Sequence, residues 1–418
     1  MWRWLLLGWF VTVLCLGQTD DRRRYRSKAF EEGRSVQNKI TTCPWHFGSF
    51  HVTPLLGVKQ LGYDDNVFSE AVSETKDFSI SPELGLQTYW RLSPNWVFAN
   101  RGTYNYVYYN KLDALRGSEY GGESKLYGLF KRFYFDLGIN FRRDRGRNNS
   151  EIDERVYSRQ KSIDFSVIYQ PTPRGYLGVE GRLRNLEFED SGDSGEGSLS
   201  RLERDQSGVA LEYLYKLRAL FWPFVELAHD QFDFASPDNP RDDSSFTSLQ
   251  VGVRNEQDTR FHFDVKGGVY QLRFDGLPGE GNPDSDVPAL RTFFDYNLTR
   301  RFYVDGGLTQ DPIFSRTGDY NYFLSRRGSL GIGYISKRKI RFGPEFILGE
   351  NDYEKPIRPV AIRRNDRIRR YNFVVQIPTS RNMNWNITAG FSERDSNLAG
   401  LDDEGFQIFS ELKYQFDR

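Results

Sequence analysis

Phe133, Phe135, Leu137, Ile139 and Phe141 alternate with Tyr134, Asp136, Gly138, Asn140 and Arg142. A two-residue period sends the two sets to opposite faces of a β-strand. One face of this segment is apolar and the other is wet. The pattern recurs down the chain. Ile163, Phe165, Val167 and Tyr169 oppose Ser162, Asp164, Ser166 and Gln170, and Phe302, Val304, Gly306 and Leu308 oppose Tyr303, Asp305 and Thr309. Ile340, Phe342, Phe346 and Leu348 oppose Arg341 and Glu345, with Pro344 on the apolar row, where its missing N–H predicts a bulge or a local ladder defect. A sheet with lipid-compatible and water-compatible faces, repeated and closed on itself, is a membrane-spanning barrel.

The connections set the strand number. Short links near 93–94, 131–132, 171–174, 217–219, 256–259, 298–300, 336–338 and 378–381 alternate with nine longer polar links rich in Gly, Asp, Asn and Arg. Eight short turns and nine long loops predict an all-β fold: a closed, antiparallel transmembrane β-barrel of about 18 strands. Short periplasmic turns, long external loops and two periplasmic termini follow from that class. A soluble sandwich or propeller fits poorly, because its loops would not all be long on one side.

Composition agrees. Mean hydropathy is −0.64 and hydrophobic residues make up only 38%, yet aromatics reach 16%. A barrel tolerates this because half of each strand faces water. Lys and Arg total 57, as do Asp and Glu, so the balance gives no reason to expect nucleic acid as a partner. Residues 1–19 read as a signal peptide, with Arg3 before the apolar run from Trp4 to Gly17. Residues 20–50 read as a flexible periplasmic lead-in, with a helix that plugs or docks on the barrel as the alternative. Residues 51–418 form the barrel, placing the protein in the outer membrane of a diderm bacterium. Cys15 and Cys43 are the only cysteines, which excludes a disulfide framework.

The wet row supplies the candidate site. Arg142, Asp164, Arg182, Arg184, Glu212, Lys216, Glu226, Asp264, Lys266, Asp305, Arg341 and Glu345 are expected to line the lumen. Both signs occur, which suits hydrated polar solutes better than a one-sign filter. Tyr134 and Tyr303 are candidates for stacking on sugar faces. Trp90, Trp96, Tyr108, Tyr109, Phe133, Tyr176, Trp222, Phe302 and Trp385 are candidates for interfacial belts. The basic stretches 143–147 and 363–370 are expected in loops, as solvated charge, contacts for lipopolysaccharide, or a gate. Tyr414 and Phe416 end an amphipathic last strand and are expected to serve as a signal for the outer-membrane insertion machinery. No nucleophile–base set, phosphate loop or metal motif is found around His46, His51, His229 or His262. No enzymatic activity and no cofactor are therefore expected.

Tyr63, Asp64, Asp65, Asn66, Val67 and Phe68 resemble the opening of the β-barrel porin 2 family, a first strand running into the first external loop. Membership implies an outer-membrane channel serving exopolysaccharide export, with a polysaccharide chain as cargo and periplasmic export components as partners. It implies no catalytic residues. Read without the family, Asp64, Asp65 and Asn66 suit a turn or a calcium site. The alternatives to export are a general diffusion or nutrient-uptake porin, and a structural or adhesion barrel.

Overall fold

The computed structural model describes residues 29–68, 75–146, 156–189, 199–218, 221–234, 243–255, 260–275, 284–315, 320–353, 363–380 and 382–416. The expected signal peptide lies outside these residues, as do parts of the long loops. A helix, α1 (Ala29–Thr42), precedes nineteen strands. They are β1 (Trp45–Phe47), β2 (Phe50–Asp64), β3 (Asp77–Arg91), β4 (Trp96–Tyr109), β5 (Gly117–Leu129), β6 (Phe133–Gly146), β7 (Val156–Tyr169), β8 (Gly175–Glu189) and β9 (Arg204–Tyr215). There follow β10 (Trp222–Phe234), β11 (Ser244–Arg254), β12 (Phe261–Phe274), β13 (Ser285–Asn297), β14 (Phe302–Phe314), β15 (Tyr322–Ile335), β16 (Arg341–Asp352), β17 (Asn365–Pro378), β18 (Met383–Ser396) and β19 (Asp403–Gln415).

From β2 to β19 each strand pairs antiparallel with its neighbours in sequence, and β19 pairs back with β2 from Gln407 opposite Asp64 to Gln415 opposite Leu55. The result is a closed 18-stranded barrel, as the alternation predicts. Closure leaves no long unpaired edge. The extra strand, β1, occupies the β2 edge just past the end of β19, pairing Trp45 with Val52 and Phe47 with Phe50. No helix among the described residues is long and apolar enough to cross a membrane.

The apolar parity faces outward. Leu137, Ile139 and Phe141 are exposed, whereas Tyr134 and Asp136 are buried. From Phe133 to Phe141 the outward apolar row rises about 20 Å once strand tilt is included. Beyond it the outward positions turn charged. Phe141 is followed by Arg143, Tyr371 is preceded by Arg369, and Phe391 is followed by Glu393. These charges pair across strands: Arg143 Nη2 with Glu189 Oε2 at 2.6 Å, and Arg369 Nη1 with Glu393 Oε1 at 3.0 Å.

This geometry explains where strand limits differ from expectation. β6 continues to Gly146, β13 begins at Ser285 and β18 continues to Ser396. Above the apolar band both faces are polar, so alternation fades while the hydrogen-bond ladder continues. The basic stretches 143–147 and 363–370, expected in loops, therefore lie largely in β6 and β17. Pro344 produces the expected defect: pairing of β15 with β16 lapses between Gly331–Glu345 and Tyr334–Phe342, with register unchanged. A bulge lies instead at Lys59, where register shifts against both β3 and β19.

The described part of the lead-in takes the alternative form, a helix docked on the barrel, instead of the flexible one. The last turns of α1 and the residue after it bring Val36, Ile40 and Cys43 into a buried cluster with Tyr89, Val97, Tyr127, Tyr134 and Ile168. Those partners are inward residues beside the short turns, so the helix seats in the short-turn mouth. Cys43 Sγ accepts a hydrogen bond from Thr53 Oγ1 at 3.2 Å. Its burial inside the barrel mouth makes an apolar contact available that a free tail would lack. At the long-loop end a larger apolar cluster fills the interior. Leu199 and Leu202 fold in from the β8–β9 connection onto Phe232, Phe246, Leu272, Phe274 and Phe314. Phe274 and Tyr322 stack at 5.8 Å.

Candidate functional site

Between these two plugs the lumen wall is polar. A cavity of about 450 Å³ is lined from β4 to β9 by Arg101, Glu123, Lys125, Asp136, Asn140, Arg142, Gln160, Ser162, Asp164, Glu180, Arg182 and Arg184, among others. Five basic side chains meet four acidic ones there. Gly121 and Gly208 also line it on the inward parity, and positions without side chains leave this space open. A smaller cavity of about 110 Å³ continues from it, sharing Glu180, Arg182, Arg184 and Ala210.

The charges are fixed by neighbours. Asp164 accepts from Arg182 Nε at 2.6 Å, from Asn140 Nδ2 at 2.9 Å and from Ser162 Oγ at 2.8 Å. Lys125 Nζ lies 3.0 Å from Glu123 Oε1. Lys59, turned inward by its bulge, reaches Glu119 Oε2 at 2.7 Å, which also accepts from Asn105 Nδ2 at 2.9 Å. Charge-assisted hydrogen bonds hold these side chains against the wall. In the smaller cavity Arg182, Arg184 and Arg204 lie on β8 and β9, while Glu226, Asp230 and Asp311 lie on β10 and β14. Glu180 on β8 lies among the arginines, so the β8–β9 side is mainly basic and the β10–β14 side acidic. Arg204 stacks over Phe314 at 5.3 Å, joining this charged segment to the apolar cluster above it.

The twelve lumen residues singled out first all fall on the inward parity, but they do not form one site. Arg142, Asp164 and Arg182 line the main cavity. Glu212 and Asp264 both bind Arg254, at 2.7 and 3.5 Å, and Lys266 binds Glu226 at 2.8 Å. Lys216 lies 3.9 Å over the Trp222 ring at the short-turn mouth. Asp305, Arg341 and Glu345 lie on β14 and β16; Asp305 is directly opposite Asp295, and Glu345 accepts from Asn372 Nδ2 at 3.0 Å. Sequence reasoning missed Arg101, Lys125, Glu180, Arg204 and Arg254. Parity assigns all five inward, but their apolar rows are broken by Asn100, Ser124, Gly181, Ser207 and Thr247.

Other assignments change. Tyr134 is buried beneath α1, so it is not an open stacking platform. The Tyr303 ring covers Gly333, occupying the space a side chain would fill there. Trp90, Tyr108, Phe133, Phe302 and Trp385 are exposed on the outer wall as expected, whereas Tyr109 and Trp222 are buried and Tyr176 packs against inward clusters. The Tyr63–Phe68 segment closes the barrel seam. Asp65 Oδ1 accepts from Phe406 N at 2.6 Å, Asn66 Nδ2 donates to Glu404 O at 2.8 Å, and Val67 is fully buried against Val107, Tyr109 and Leu115. Asp64 Oδ1 accepts from Asn66 N at 3.1 Å, the contact of a side-chain turn. His262 Nδ1 contacts Asn255 Oδ1 at 3.1 Å. Among the described residues, no group of three or more His, Cys, Asp or Glu is placed to hold a metal.

No family model matches the chain, so the porin 2 resemblance of residues 63–68 gains no support at family level. No curated protein matches it in sequence either. Solved structures match in fold. OccAB2 of Acinetobacter baumannii superposes with a TM-score of 0.52 at 13% identity, covering 89% of this chain and 100% of that one. OccAB3 of the same organism gives 0.52 at 12% identity, covering 88% and 99%. OpdK of Pseudomonas aeruginosa, solved with vanillate, gives 0.52 at 10% identity, also covering 88% and 99%. The chain shares with them the closed architecture of outer-membrane β-barrels.

Proposed function

We propose that this protein is a passive outer-membrane channel through which small polar solutes diffuse or are taken up. The observation that carries this reading is the mixed-charge cavity of about 450 Å³ on the lumen wall, continuous with a narrower charged segment. That volume suits a small molecule. Paired charges let a solute exchange water for side-chain partners without meeting a deep well of one sign, which conduction requires. The fold relatives are outer-membrane proteins, and one was solved with a small solute. We assign no catalytic role to the lumen.

Export of a polysaccharide is the weaker reading. A polymer needs a continuous path, while α1 seats in one mouth and Leu199 and Leu202 fold into the other. In the orientation we infer, the short turns and both termini face the periplasm, and the charged outer rim meets lipopolysaccharide. The outward rings of Tyr414 and Phe416, 4.6 Å apart, are available to the insertion machinery.

Reconstitution of the purified protein in planar bilayers, paired with liposome swelling in sugars of rising size, tests the proposal. Step conductance and uptake limited to small sugars are expected. Absence of both would overturn the channel reading in favour of a structural barrel, and passage of long dextrins would return the export reading.

A further inference from the structure

We propose that His46 and His51 form a two-imidazole binding site for a divalent transition-metal ion at the short-turn mouth. The two residues lie directly opposite one another in the β1–β2 hairpin. Gly48, at φ 63°, supplies the left-handed residue of the connecting turn. The Nδ1 atoms are 2.7 Å apart and the rings are nearly perpendicular, with centroids 4.8 Å apart. The two Nδ1 atoms of neutral ligands thus face each other within reach of a single ion. His51 is held at the barrel wall, and His46 is open to solvent, so water can complete the coordination shell.

Without metal, one imidazole donates from Nδ1 and the other accepts. To bind metal, the donor moves its proton to Nε2, after which both Nδ1 lone pairs point at the ion and no net proton is released. With metal–nitrogen bonds of about 2.0–2.1 Å, adjacent square-planar ligands stand about 2.9 Å apart and tetrahedral ones about 3.3 Å. A copper(II) or nickel(II) ion therefore asks for a few tenths of an ångström of opening, and zinc for more. Imidazole nitrogen favours these ions over calcium or magnesium. The charge of Arg91 acts on His51 and opposes any cation there, which keeps the site weaker than a four-ligand one. Because Cys43 and Pro44 join β1 directly to α1, an ion clamping the hairpin also restrains the plug.

The chain has only four histidines, and His229 lies elsewhere, on β10, with Nδ1 2.9 Å from Thr247 Oγ1. Copper(II) titration of the untagged full-length protein in detergent, followed by electron paramagnetic resonance, is the test. One equivalent showing coupling to two ring nitrogens is expected. His46→Ala and His51→Ala should each lose one nitrogen and weaken binding roughly tenfold or more, while His229→Ala leaves both readouts unchanged. Absence of copper binding by the wild type, or an unaltered spectrum and affinity in the His46→Ala/His51→Ala double variant, overturns the site.

Discussion

Lys266 Nζ on β12 lies 2.8 Å from Glu226 Oε2 on β10, so this ion pair bridges the intervening strand β11. Both side chains are more than nine-tenths buried. The same device recurs one strand over, where Arg254 on β11 reaches across β10 to Glu212 on β9 at 2.7 Å. These straps run along the inner wall across the backbone ladder and tie strands that share no hydrogen bonds.

Removing one partner strips the other buried charge of this ion pair. Lys266→Met is expected to destabilise the barrel by about 3–5 kcal/mol, and adding Glu226→Leu should recover most of that loss. Urea unfolding in detergent micelles measures both. A single variant as stable as wild type would mean that water reaches Glu226 and the strap has no structural weight.

The helix plug rests on apolar contact. Ile40→Asp would place a carboxylate in the cluster that holds α1 over Tyr134, a desolvation cost of several kcal/mol that a small contact cannot offset. The helix should leave the mouth and single-channel conductance should rise at least about twofold. Unchanged current would reject α1 as a barrier to flow.

Arg182→Ala removes one of five basic side chains around the main cavity and leaves Asp164 held by Asn140 and Ser162. The lumen should shift towards cations, with the potassium-to-chloride permeability ratio rising about twofold. Reversal potentials in a salt gradient report this directly. An unchanged ratio would show that Arg182 does not act on the ion path.

Gly62 lies on the closing seam, and a Cβ there would meet the carbonyl oxygen of Ile408 at 2.1 Å. The nearest atoms are β19 backbone at Ile408 and Phe409, with the Phe409 ring beside them, and backbone cannot swing aside as a side chain can. Gly62→Ala should cost about 1–3 kcal/mol and slow closure of β2 onto β19. The retained gel-mobility shift of folded barrels on heating gives the readout. Gly102→Ala, with open space around the added atom, is the matched control.

How much of this was legible in the sequence follows from which forces are local. Side-chain alternation depends only on the strand's own pleat, so Phe133–Arg142 declared two solvents by itself, and the alternation of short with long links then fixed 18 strands. The inward parity of Arg142, Asp164 and Lys266 followed from the same rule. What a row of residues does not contain is its partner. Arg254 meets Glu212 two strands away, Lys59 turns inward through a bulge, and Leu199 folds in from a connection with no period at all. A plugging or docking helix was open only as an alternative for residues 20–50: its few apolar residues become a plug only against a wall built by β3 to β7. Sequence determined the tube, because each strand reads its own two faces. The tertiary structure decided how much of the lumen stays open, because that depends on side chains brought together by closure from strands far apart in the chain.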